Sequence, residues 1–189
     1  GGLKRLPVVA DDGSLMGIVS RADVLTAMGR ASAVAGHLDV LPEGMRGSAR
    51  DVMYRNVPTA GADTPLPDVL ERLVASPLRR VVIVDGEGRI EGIVHDRDLL
   101  QHFARQNAPG ILTRLIGFLS QPKLGFTISG GTARDVMTTR VVTIPPQLPV
   151  SDVIRTLLEH RIKRVAVADE SGRLLGMVDR DTVLKGLAG

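Results

Sequence analysis

The sequence predicts an α+β fold assembled from tandem β-α-β-β-α repeats, and three observations carry that prediction. Ala49-Arg50-Asp51-Val52-Met53 returns 84 residues later as Ala133-Arg134-Asp135-Val136-Met137. At the same offset Arg79-Arg80 falls on Lys163-Arg164, Asp85 on Asp169, Gly88 on Gly172 and Gly92 on Gly176, with no gap. A match kept in register over that length is a duplication. Inside each copy, helical stripes alternate with short β-branched runs of the kind that form buried strands.

The first full copy takes residues 49–104 and the second 132–189. Each is expected to open with a short strand, near Pro58–Ala60 in one and Val141–Ile144 in the other. Thr64-Pro65-Leu66-Pro67-Asp68 then starts a helix: proline suits a first turn, and an acid there complements the helix dipole. Val69, Leu70, Leu73 and Val74 give this helix one buried face, matched by Val153, Ile154, Leu157 and Leu158. Val81–Val84 and Ile90–Val94 read as a hairpin around the Asp85-Gly86-Glu87-Gly88 turn. A second helix from Asp96 is expected to bury Leu99, Leu100 and Phe103, with Val183, Leu184 and Leu187 as counterparts.

Residues 1–30 resemble the back half of a copy. Lys4-Arg5-Leu6-Pro7-Val8-Val9 falls on Arg79–Val84, Gly13 on Gly88 and Gly17 on Gly92. This partial copy lacks its first strand and helix, so its Leu6, Val8, Ile18 and Leu25 are expected to leave an apolar surface. The linkers are residues 31–48 and 105–131. In the second, Ile111–Leu119 has the pattern of a short amphipathic helix.

Composition narrows the function. The 189 residues are 43% hydrophobic and 24% charged, as in an ordinary globular chain. There is no cysteine, which excludes disulfides and thiolate chemistry and fits a cytoplasmic setting. No apolar run is long enough to span a membrane, so direct membrane insertion is not expected. The net charge of +3 is scattered among acids, and aromatics are 2% of the chain. That combination argues against nucleic-acid binding. The chain opens Gly-Gly, which suggests part of a larger protein. No nucleophile constellation, phosphate-binding glycine loop or metal cluster is visible, so an enzyme is not expected. His37, His95, His102 and His160 offer no paired spacing for a metal.

The Asp-Val-Met opening, the basic residue before an apolar strand, the Asp–Gly turn and Gly-Ile-Val-x-x-x-Asp leading into a helix resemble the cystathionine-β-synthase (CBS) domain. The resemblance covers nearly all of the chain outside the linkers. It implies copies paired about a pseudo-twofold axis into a Bateman module that regulates an attached or partner protein. It also implies an adenine nucleotide (AMP, ADP or ATP) or S-adenosylmethionine in the cleft between paired copies, and an assembly of two chains, a homodimer.

The motif implied by that resemblance is a glycine, two apolar residues, Ser or Thr, two variable residues and Asp, with the hydroxyl toward phosphate and the acid toward ribose. A strand-to-helix junction favours an anion, and a carboxylate accepts from a vicinal diol. The partial copy carries Gly17-Ile18-Val19-Ser20-Arg21-Ala22-Asp23, making Ser20, Arg21 and Asp23 candidates. The first full copy reads Gly92-Ile93-Val94-His95-Asp96-Arg97-Asp98, with His95 in the hydroxyl position and Asp98 retained. The second reads Gly176-Met177-Val178-Asp179-Arg180-Asp181-Thr182 and departs most. Each pattern also fits a helix cap. Of the basic pairs, alternation along the strand puts one member toward the cleft, taken here as Arg5, Arg80 and Arg164. They are equally readable as structural ion pairs. Thr143, on the first strand of the second copy, is a candidate for contact with the base. The competing functional reading is a structural dimerisation module without a ligand.

Overall fold

The computed structural model describes residues 5–20, 23, 24, 26, 27, 47–105 and 130–188. The predicted linker helix at 111–119, Lys4, Arg21, Leu25 and the side chains of Phe103 and Leu187 lie outside the described residues.

The fold class is α+β, and the described elements follow the expected order. The partial copy supplies β1 (Arg5–Val9) and β2 (Leu15–Ser20). The first full copy supplies α1 (Ala49–Val52), β3 (Thr59–Ala60), α2 (Leu66–Ala75), β4 (Arg80–Val84), β5 (Ile90–His95) and α3 (Asp96–Arg105). The second supplies a 3-10 turn (Ala133–Asp135), β6 (Thr143–Ile144), α4 (Val150–Glu159), β7 (Arg164–Ala168), β8 (Leu174–Asp179) and α5 (Arg180–Ala188). Thus α3 runs one residue past the boundary expected at 104.

Contacts divide the chain into two compact units that cut across the repeats. The first comprises the described parts of Gly1–Tyr54, Thr143–Val167 and Leu175–Gly189; the second comprises Arg55–Val142 and Ala168–Leu174. The repeated five-residue string explains the cut. In the second unit, the segment around Ala133–Asp135 docks beside α2: Ala133 N donates to Thr64 O at 2.9 Å and Arg134 N to Ala62 O at 2.9 Å. In the first, Ala49 N donates to Leu148 O at 2.8 Å and Arg50 N to Pro146 O at 2.9 Å, beside the start of α4. So the string that opens one copy completes the other.

Three letters of the string have a physical job. Asp51 Oδ2 accepts from Ser48 N at 2.7 Å, and Asp135 Oδ2 from Thr132 N at 2.7 Å, closing a capping box on each short turn. Ala49 and Ala133 are fully buried. The methionine then crosses a glycine. Thr138 and Ile93 exchange backbone hydrogen bonds of 2.9 and 3.0 Å, and a Cβ on Gly92 would sit 2.8 Å from Met137 Sδ. Tyr54 and Met177 exchange bonds of 2.8 and 2.9 Å, and a Cβ on Gly176 would sit 2.5 Å from Tyr54 O and 2.8 Å from Met53 Sδ.

Around these crossings the two sheets are built alike, in the orders β3-β4-β5 and β6-β7-β8. The first strand of each is parallel to the second, with Thr59 opposite Val82 and Thr143 opposite Ala166. The helix between them is the crossover that a parallel pair needs. In the second unit Leu66, Val69, Leu70 and Leu73 of α2 pack on Val81, Ile83, Val94 and Leu99. Val74, Leu100 and Leu158 are only partly buried, at the margins of their stripes. β4 and β5 are antiparallel with a bulge at Ile83/Val84. The turn between them needs a left-handed residue, and Gly88 takes it at φ +82; Gly172 (φ +81) and Gly13 (φ +80) repeat the solution.

The hairpin of β1 and β2 keeps the same register, pairing Arg5 with Ser20 as Arg80 pairs with His95. Its apolar side chains are exposed: Leu6 by 53%, Val8 by 41% and Ile18 by 59%. The corresponding Val81 and Ile83 of β4 are fully buried, because there α2 covers the sheet.

The two crossings should differ under substitution. Gly92→Ala meets the Met137 side chain, with Sδ, Cγ and Cβ at 2.8, 3.1 and 3.2 Å, so it should cost about 1–3 kcal/mol in urea unfolding, and Met137→Ala, which keeps only the Cβ contact, should recover part of it. Gly176→Ala also meets a backbone carbonyl, so Met53→Ala should fail to rescue it. Equal rescue at both sites would overturn this account.

Candidate functional site

Of the residues singled out from sequence, Arg5, Ser20 and Asp23, then Arg80, His95 and Asp98, and Arg164 lie at strand-to-helix junctions, while Thr143 stands opposite Ala166 on β6. At each, the last residue of the hairpin's second strand faces the basic residue that opens its first. These pairs are Arg5 with Ser20 and Arg80 with His95 by strand register. In the third, Arg164 Nε lies 3.3 Å from Asp179 Oδ2.

The junction in the first full copy is the most enclosed of those with both motif residues. His95 Nδ1 lies 2.7 Å from Asp98 Oδ2, with side-chain exposures of 14% and 11%. His95 N also donates to Asp98 Oδ2 at 2.9 Å, so the acid reaches back to cap α3. Arg97 Nε stands 3.6 Å from Asp98 Oδ1. Burial alone would raise the Asp98 carboxyl. The hydrogen bonds from the His95 ring and backbone, with the charges of His95 and Arg97, outweigh it and hold the group below its ordinary range. Arg80 is half-buried at the start of β4. Its neighbour Arg79 precedes the strand with φ +51, so a left-handed turn, not strand alternation, separates the pair.

In the partial copy Ser20 N donates to Asp23 Oδ2 at 2.7 Å, and Ser20 Oγ donates to the same oxygen at 2.7 Å. The backbone and then the hydroxyl of Ser20 lower the Asp23 carboxyl. The junction is exposed around Asp23, and Arg21 lies outside the described residues.

In the second full copy the buried Asp179, 5% exposed, caps α5. Its Oδ1 accepts from Asp181 N and Thr182 N, both at 2.8 Å. Arg164 is held by this carboxylate, and Thr143 is exposed on β6. Sequence reasoning missed Tyr54, whose hydroxyl pKa is raised by burial and then by the charges of Asp179 and Asp181. Its position directly after the repeated Asp-Val-Met string was the available signal. Among the described residues no group of acids and histidines is arranged to hold a metal. No helix among them is long and apolar enough to cross a membrane.

These three junctions coincide with a recognised unit: the CBS domain family model matches residues 1–30, 49–105 and 133–189. The chain belongs to the CBS domain family. It is similar to inosine-5'-monophosphate dehydrogenase of Nitrosopumilus maritimus, with 28% identity over 127 residues. That match takes 67% of this chain and 21% of the dehydrogenase, so the chain spans about a fifth of that relative. Two CBS-pair structures share the fold. CBSX2 of Arabidopsis thaliana, solved in complex with AMP, gives a TM-score of 0.58 at 24% identity, covering 75% of this chain and 96% of that one. The CBS domain pair of protein MJ0100, in complex with 5-methylthioadenosine and S-adenosyl-L-methionine, gives 0.54 at 21%, covering 75% and 96%.

The cap at the first full copy has a pH signature. A lowered carboxyl contributes stability that is complete above the ordinary Asp value of about 3.9 and is lost as pH falls through the lower folded-state value. Asp98→Asn should therefore cost about 0.5–2 kcal/mol at neutral pH, as for a lost cap, with the gap to wild type closing in acid. Urea melts across that range check it; a gap independent of pH would refute the assignment.

Proposed function

We propose that this chain is a regulatory ligand-sensing module that binds an adenine nucleotide at its strand-to-helix junctions and controls an attached or partner protein. The observation that carries this reading is the convergence of Arg80, His95 and Asp98. Strand register sets Arg80 opposite His95, whose ring meets the ionised Asp98 carboxylate at the start of α3. Arg80 and the His95 ring suit phosphate, and Asp98 suits the ribose hydroxyls. Oδ2 of Asp98 serves the cap, while Oδ1 retains acceptor capacity for a diol. Ser20, Arg21 and Asp23 form the corresponding set in the partial copy. In the second full copy Asp179 both occupies the phosphate position and holds Arg164, so that junction is assigned a structural role with Thr143 left for a base contact. AMP, ADP, ATP and S-adenosylmethionine are the ligand candidates, supported by the ligands of the two CBS-pair relatives. No catalytic role is assigned to the chain itself, and its setting is taken as cytoplasmic.

Titration calorimetry with AMP, ATP and S-adenosylmethionine tests the reading. Asp98→Ala should weaken nucleotide binding about ten- to hundredfold, the worth of a hydrogen bond to a charged group. Thr182→Ala should leave affinity unchanged. Equal binding by Asp98→Ala would reduce the motif to a cap.

A second reading, a structural dimerisation module, is favoured by the fact that all three motifs are already engaged in capping. The exposed β1–β2 hairpin supports a homodimer under either reading, since an apolar sheet face of this kind calls for a cover. Light scattering at micromolar concentration should give twice the chain mass. A monomer with the hairpin amides protected from exchange would rule out cover by a second chain.

A further inference from the structure

The second unit carries another concavity, at the opposite end of β4 from Arg80. It is a cavity of about 730 Å³ at the carboxyl ends of the parallel strands β3 and β4. Val84 lies four residue steps along the strand from Arg80, or about 13 Å. The carboxyl ends of parallel strands are where open α/β sheets receive small molecules.

Its lining combines both signs of charge. Arg72, projecting from α2, and Glu91, from β5, share this cavity with Asp63 and Arg134. Arg72 Nη1 donates to Thr59 O at 2.6 Å, which anchors the guanidinium on the wall. Among the described residues neither Arg72 nor Glu91 has a carboxylate or guanidinium within ion-pair distance. Arg134 and Asp63 pair with each other at 3.2 Å, but with 57% and 88% of their side chains exposed that pair is readily displaced. Val84 adds partly exposed apolar surface to the lining, while Ala60 and Ala62 belong to the core beneath it.

The fold does not require these groups. At the offset of 84 residues, Thr156 stands for Arg72, Leu175 for Glu91, and Pro145-Pro146-Gln147 for Gly61-Ala62-Asp63. The second full copy nevertheless forms the same strand, helix and hairpin. The charges are thus an addition to the first full copy.

A simple anion entering here faces Asp63, Asp85 and Glu91, and a simple cation faces Arg72 and Arg134. A molecule with both charges a few bonds apart meets neither penalty. We infer that this cavity binds a free α-amino acid, its carboxylate on the Arg72 guanidinium and its ammonium on Glu91. A guanidinium fork fits a carboxylate with two parallel hydrogen bonds, and Glu91 accepts from the ammonium. This site is separate from the nucleotide junction and stands or falls without it.

The test uses the full chain. Each standard amino acid is added at about 10 mM in a thermal melt, a concentration that reveals millimolar binding. The best is then titrated calorimetrically beside its N-acetyl and carboxamide derivatives. At least one amino acid should raise the melting temperature, and each derivative should bind at least about tenfold more weakly. Glu91→Gln and Arg72→Gln should each reproduce a loss of that size while AMP titrations stay unchanged. Arg72→Gln also removes the bond to Thr59 O, so Glu91→Gln and the derivatives decide if that variant melts early. No melting shift with any amino acid would overturn the proposal. So would undiminished binding by Glu91→Gln, or derivatives that bind as well as the parent.

Discussion

The structure depends on a methionine laid across a glycine. At Gly92 and Gly176 the second hairpin strand has no side chain, and a segment from elsewhere in the chain uses the space to form a pair of backbone hydrogen bonds. Side-chain size and backbone pairing are coupled at these points: a β-carbon at Gly92 would press on the Met137 side chain, and one at Gly176 on the Tyr54 carbonyl that accepts one of the bonds. The capping boxes of Ser48/Asp51 and Thr132/Asp135 then aim each segment at its glycine.

Much of the fold was legible in the sequence because its signals are local. The stripes of α2 and α4, the hairpin turns and the capping acids each depend on residues within a few positions of one another. Val69, Leu70 and Leu73 are buried as their spacing requires, and Gly88 turns the chain as its neighbours require. The first strands were harder to bound. Each proved to be two residues long, since a parallel strand is limited by its partner as much as by its own sequence. The exchange of the Ala-Arg-Asp-Val-Met segments was not legible at all. Both copies carry the same string, so local pattern cannot say which glycine each one reaches.

The candidate site was legible in its members more than in their relations. Motif spacing found Ser20, His95 and Asp98, and the register of the strands set Arg5 and Arg80 opposite them. Spacing could not show that Asp179 engages Arg164, because that pair is assembled across two strands. Nor could it find Tyr54, the single tyrosine of the chain, whose environment is made by residues over a hundred positions away. Arg72 and Glu91 drew no attention either. Surface charges carry little local signal until a cavity shows that they face the same space.

The exchanged segments also bear on how the polypeptide leaves the ribosome. Met53 emerges 123 residues ahead of Gly176, the position it covers. At roughly 5–20 residues per second that gap lasts roughly 6–25 s. Met137, by contrast, follows Gly92 and finds its place already made. The second unit's crossing can therefore close during synthesis, while the first must wait for its far end. Translation order alone makes two chemically similar halves unequal in their exposure to chaperones and to misassembly with neighbouring nascent chains.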